Sequence, residues 1–96
     1  MAPVRVRMMG TLKAVSGEQE RELSLPGDAD VALVVRRLVE ECGDEFGATL
    51  LDPVLGSPMP NVLILLNGVE IDNLEGLETP VDDGDVLTFL SVTHGG

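Results

Sequence analysis

Val4, Val6 and Met8 alternate with Arg5 and Arg7. A period of two predicts a strand with one buried face. Gly10 to Gly17 reads as a turn region, after which Glu20, Arg21, Glu22, Leu23, Ser24 and Leu25 resume the alternation with the leucines inward. The two strands form an opening hairpin. Pro26 and Gly27 break it, and Asp28 or Asp30 is placed to cap a following helix. In that helix Val31, Val34, Val35, Leu38, Val39 and Cys42 fall at steps of three and four, forming one apolar stripe. Arg36, Arg37, Glu40 and Glu41 lie mostly outside it, and Gly43 is expected to end the helix in a left-handed cap.

The pattern weakens from Asp44 to Leu55, with a short helix expected around Phe46 to Leu51 and a loop from Pro53 to Pro60. Asn61 to Leu66 is a continuous apolar run, read as a strand buried on both faces or facing a partner. Asn67-Gly68 suits a two-residue hairpin turn, with Val69-Glu70-Ile71 as the return strand. Asn73 to Thr79 is expected to be a turn or one helical turn, Asp82-Asp83-Gly84-Asp85 to form a further tight turn, and Val86 to Val92 to be the last strand. Two hairpins flanking one amphipathic helix predict an α+β fold, a mixed sheet of four to five strands packed on one main helix. The β-grasp (ubiquitin-like) topology, with first and last strands adjacent and parallel, rests partly on the resemblance given below.

At 96 residues the chain is one domain, residues 1–96, with a flexible tail expected at 93–96. Its rings are confined to Phe46 and Phe89, so no aromatic platform for stacking bases is available. A net charge of −11 argues against nucleic acid and against anionic membranes, and favours a basic or polar protein surface as the partner. Cys42 is the sole cysteine, which excludes an internal disulfide and a zinc site of paired cysteines. No apolar run reaches the roughly 20 residues needed to span a bilayer, and the start lacks a signal core. A cytoplasmic protein is expected.

The chain stops at Thr93-His94-Gly95-Gly96. Two residues without Cβ can lie extended in a narrow channel and offer a free α-carboxylate to another protein's active site. Chance would place two glycines at a terminus in roughly 0.5% of chains. His94 has no positioned partner, so it reads as a contact residue rather than a base. Cys42, on the apolar stripe, reads as a small buried hydrophobe. Asp82, Asp83 and Asp85 lack the spacing of a calcium loop and are explained by the turn. In the last strand Leu87 and Phe89 alternate with Val86, Thr88, Leu90 and Val92, so both faces carry apolar groups, and the one not turned to the helix is read as a docking surface. Lys13 is the only lysine; it reads first as a solvent-exposed residue, and in a modifier it would be the internal side chain able to accept an isopeptide bond.

The stretch Val62-Leu63-Ile64-Leu65-Leu66-Asn67-Gly68-Val69-Glu70-Ile71, then Leu77-Glu78-Thr79-Pro80-Val81, Asp83-Gly84-Asp85-Val86 and the terminal Gly95-Gly96 resembles the ubiquitin-like sulfur-carrier family. That family includes the small subunit of molybdopterin synthase, the thiamine sulfur carrier, the ubiquitin-related modifier and the archaeal small modifiers. The Thr-His-Gly-Gly end is similar to the ubiquitin-related modifier, and the Leu51-Asp52-Pro53 loop to the cysteine-synthesis carrier. The resemblance implies that a ubiquitin-activating-like adenylyltransferase uses ATP to adenylate Gly96. A sulfurtransferase then supplies the sulfur of a thiocarboxylate, which passes to a biosynthetic enzyme. In the modifier branch, target-protein lysines attack instead. Gly96 is then the reacting residue and Gly95 its slender approach. Leu87 and Phe89 face the core, while Leu90, Val92, Thr93 and His94 meet the partner. The chain itself is expected to be no enzyme, with no catalytic residue and no bound cofactor or metal.

Overall fold

The computed structural model describes residues 3–52, 54–58 and 62–91. Five strands form one sheet: β1 (Val4–Met9), β2 (Glu20–Leu23), β3 (Val62–Leu66), β4 (Val69–Glu70) and β5 (Val86–Ser91). Three helices accompany them, α1 (Thr11–Ser16), α2 (Val31–Cys42) and α3 (Asp44–Leu50). The strand order is β2-β1-β5-β3-β4, with β1 and β5 parallel at the centre and the other pairs antiparallel. This is the β-grasp arrangement expected from the sequence, with α2 as its main helix.

Alternation decides which face of the sheet is covered. Val4, Val6 and Met8 of β1, Val62 and Ile64 of β3, and Leu87 and Phe89 of β5 are all buried. They meet Val31, Val34, Val35 and Leu38 from the stripe of α2, with Phe46 and Leu50 from α3. Asp30, the second of the two acidic candidates, caps α2 by accepting the Leu33 N–H at 2.9 Å. A backbone bridge of Asp30 to Pro80, with Val31 N–H on Thr79 O and Val81 N–H on Ala29 O (both 3.0 Å), fastens this helix start to the segment before β5.

The segment expected to be a turn between Gly10 and Gly17 is instead helix α1. Its six residues are too few to show a helical period, and it is defined by its ends. Gly10 and Gly17 adopt φ of 69° and 78°, and Leu12 is driven fully into the core. Gly43 ends α2 as expected but with φ 94° and ψ −178°, so the cap is not left-handed helical; the same residue starts α3. Asn67 and Gly68 both take positive φ, 50° and 87°, as a two-residue hairpin turn requires. The return strand is shorter than expected, since Ile71 leaves β4 for a 3-10 turn and buries itself completely.

Candidate functional site

The uncovered face of the sheet is where β1, β3 and β5 present their other side chains. Met9 is paired with Leu90, and Leu90 with Leu63, so three apolar side chains from three strands stand in one row across the centre. Adjacent strands are about 4.8 Å apart, close enough for these side chains to touch. All three are half-buried. The next row runs Glu20, Arg7, Thr88, Leu65 and Glu70, and the row beyond it Glu22, Arg5 and Val86. The face is therefore divided, apolar toward the end of β5 and charged over β1 and β2.

The charged half is loosely held. Arg5 lies 3.6 Å from both Glu20 and Glu22, and Arg7 is 3.7 Å from Glu20. Pairs this long and this exposed contribute little to stability. The Arg7 Nε is itself shielded from solvent without a hydrogen-bond partner.

Among the expected site residues, Leu90 lies on the outer face, opposite Leu87 and Phe89, near the end of β5. Val92, Thr93, His94, Gly95 and Gly96 lie outside the described residues. Lys13 is exposed on α1, one turn into the helix. Met9 and Leu63 are not marked by alternation alone; they join Leu90 only through the register of strands that are not consecutive in the chain.

Cys42 departs from the core position expected of it. It stands half-buried at the end of α2, packed against the margin of the core. Burial pushes its thiol pKa up, an effect opposed by the positive charge of Arg21. Arg21 donates to Glu18 at 2.8 Å and to Glu41 at 2.6 Å, and hydrogen bonding to Glu18 raises its own pKa, so it stays charged. The carboxylate of Asp85 is engaged within its turn, accepting from Asp82 N–H at 2.8 Å and from the Asn67 amide at 3.0 Å. No cluster of three or more His, Cys, Asp or Glu groups able to hold a metal occurs among the described residues. Two open clefts of about 310 Å³ are present, one by Leu25, Val81 and Asp83, the other between α2 and Leu51, Pro58 and Leu77. No helix among the described residues is long and apolar enough to cross a membrane.

Residues 6–96 match the sequence profile of the ThiS family. The chain belongs to the ThiS family. It is 31% identical over 93 residues to small archaeal modifier protein 3 of Haloferax volcanii, covering 97% of this chain and 98% of that protein. The solution structure of small archaeal modifier protein 1 from Methanosarcina acetivorans shares its fold with a TM-score of 0.76 at 30% identity, covering 100% and 98% of the two chains. The crystal structure of CysO from Mycobacterium tuberculosis gives a TM-score of 0.72 at 27% identity, covering 94% and 99%. These ThiS-family relatives are small ubiquitin-like carriers or modifiers.

Proposed function

We propose that this chain is a sulfur carrier whose Gly96 carboxylate is activated by adenylation and converted to a thiocarboxylate. The observation that carries this reading is the family match, which runs through Gly95 and Gly96. A carboxylate is a poor electrophile. Its attack on the α-phosphorus of ATP, with loss of pyrophosphate, gives an acyl-adenylate with a good leaving group. A sulfurtransferase persulfide attacks the carbonyl carbon of Gly96 with loss of AMP, and a second thiol of that enzyme cleaves the resulting acyl disulfide, forming a disulfide and releasing the thiocarboxylate. The catalytic groups and the ATP site belong to the activating enzyme. This chain contributes the carboxylate, the narrow approach and a docking face.

The row Met9, Leu90 and Leu63 supplies that face in this reading, and Val92, Thr93 and His94 are further contact residues for the enzyme. An apolar strip rimmed by charges is the composition of a protein contact. The acidic balance of −11 directs it to a basic partner surface.

A second reading is favoured by the relatives named as modifiers, at 31% and 30% identity. There a target lysine attacks the activated Gly96, and Lys13 is the internal acceptor for chains. Mass spectrometry of the protein recovered from its cells, cut after Glu or Leu, separates the two. A free C-terminal peptide with one oxygen of Gly96 replaced by sulfur is the outcome for the carrier; the same peptide joined to lysines is the outcome for the modifier. Finding only the plain carboxylate in sulfur-replete growing cells would sink both.

A further inference from the structure

Among the described residues, Val54 and Leu55 are the large apolar side chains most open to solvent, 88% and 66% exposed. Slackness does not put them there. The Asp52 carboxylate accepts the Val54 and Leu55 N–H groups, both at 2.9 Å. The Asp52 N–H donates to the Ser57 carbonyl at 2.7 Å, and the Asp52 carbonyl accepts the Gly56 N–H at 2.8 Å. Hydrogen bonds on both sides of the pair hold it out from the surface, so little further ordering is needed to bury it.

The cleft along α2 adjoins this pair. Val35, Val39, Leu51, Pro58 and Leu77 line it, and Gly56 of the same loop stands in its wall. Val54 and Leu55 are not part of that lining; they face water instead. An apolar cavity of about 150 Å³ already takes a benzene ring. At about 310 Å³ the cleft has room for two aliphatic side chains. Protrusion and receptor thus share one surface, as they do in an interface that repeats itself about a two-fold axis.

The charges on α2 match in the same way. Arg36 and Glu40 are the charged residues of the lining, and both are exposed. Neither side chain makes a hydrogen bond or ion pair among the described residues. They lie one helical turn apart. Two copies of α2 laid antiparallel, with the axis midway between these positions, bring Arg36 of one copy opposite Glu40 of the other. The lining is balanced in charge although the chain carries −11, so this surface matches a second copy of itself better than the basic partner expected at the outer face.

We propose that this surface is a self-association site: two copies of the chain pair isologously, Val54 and Leu55 of each seated in the α2 cleft of the other. The site lies on the helix side of the sheet, away from Met9, Leu90 and Leu63, and does not depend on the chemistry at Gly96. One loop and one cleft make a small interface, and two chains of −11 repel, so the dimer is weak at low salt.

The test is sedimentation of the full chain over a range of concentrations up to about 1 mM, at about 0.1 M and about 1 M salt. A monomer–dimer equilibrium is expected that tightens with salt, because screening the net repulsion outweighs the loss from exposed ion pairs. Leu55→Asp should raise the dissociation constant at least about tenfold at unchanged melting temperature, since the two-fold repeats each change. Arg36→Glu should weaken the dimer and the double change Arg36→Glu, Glu40→Arg should restore it. Leu90→Asp, on the outer face, should leave it as it is. A parent chain that stays monomeric throughout would overturn the proposal and leave the cleft to a different partner. A dimer indifferent to Leu55→Asp, dissolved by Leu90→Asp, or not recovered by the double change would overturn it as well.

Discussion

Asn67 and Asp85 join the two tight turns at one end of the sheet: the Asn67 side-chain amide donates to the Asp85 carboxylate at 3.0 Å. The Asn67 side-chain carbonyl also accepts the Val86 N–H at 2.9 Å, so the hairpin turn between β3 and β4 starts β5 in register. Asn67 holds φ at 50°, a conformation asparagine tolerates and most residues resist. Asn67→Ala should therefore cost about 1–3 kcal/mol, from two lost hydrogen bonds and the backbone preference. Urea unfolding with an unchanged m-value measures it; a loss under about 0.5 kcal/mol would show that the link is not structural.

Adjacent residues of β5 should respond in opposite ways. Phe89 is fully buried, so Phe89→Ala is expected to cost about 3–5 kcal/mol. Leu90 faces outward, and Leu90→Asp should leave stability within about 1 kcal/mol while weakening binding to the activating enzyme at least about tenfold. Calorimetry gives the first comparison and titration of the complex the second. A large fall in melting temperature for Leu90→Asp would place Leu90 in the core instead.

Asp30 carries a local prediction. Its carboxylate accepts the Leu33 N–H at the start of α2, and Asp30→Ala should remove about 1 kcal/mol of stability. Asp30→Ser, which keeps a capping oxygen, should recover most of it. Equal stability of the alanine and parent chains would mean that the backbone bridge to Pro80 holds the helix start unaided.

Cys42 gives the pH dependence. Burial raises its thiol pKa in the folded state, so on raising the pH the unfolded chain loses this proton first. Above the ordinary thiol value the unfolded state binds fewer protons, and unfolding free energy falls with pH. The contribution of the neutral thiol is complete below the ordinary value and is lost as pH rises through the elevated one. The stability difference between the parent and Cys42→Ala, followed by urea midpoint from neutral to alkaline pH, should drift against the parent. A difference independent of pH would remove the effect. Alkylation of Cys42 near neutral pH should likewise be slower than that of a free thiol.

Strong periodicity explains what the sequence made legible. The alternation in β1 and the first part of the α2 stripe, Val31 to Leu38, placed their buried residues correctly, because one-sided burial leaves a period that short windows can detect, whereas Val39 and Cys42 at the end of the stripe are only half-buried. Gly10 to Gly17 was opaque for the opposite reason. Six residues between two glycines carry too few apolar positions, and the contacts that accompany their helix, Leu12 in the core and the Thr11 N–H donating to the Ser91 hydroxyl at 2.9 Å, are not local. The apolar row was only partly legible. In β5 alternation separates Leu90 from Leu87 and Phe89 but leaves both faces apolar, so the family resemblance was needed to choose the outer one; its neighbours Met9 and Leu63 are set by a parallel pairing between the ends of the chain and an antiparallel one across the long middle segment. Local pattern does not encode such register.

The parallel pairing of β1 with β5 also bears on when this protein can fold. The strand that occupies the middle of the sheet is the last of the five to be synthesised. Until it arrives, β1 and β3 each lack their main partner, and Phe89 and Leu87 are missing from the core. The early hairpin is too small to persist alone. Closure then waits on contacts between residues some 80 positions apart, the kind that slow folding most. A chain interrupted during translation would consequently expose neither the assembled row nor a stable domain. The order of the strands thus makes the docking row a mark of a chain whose synthesis has run through β5.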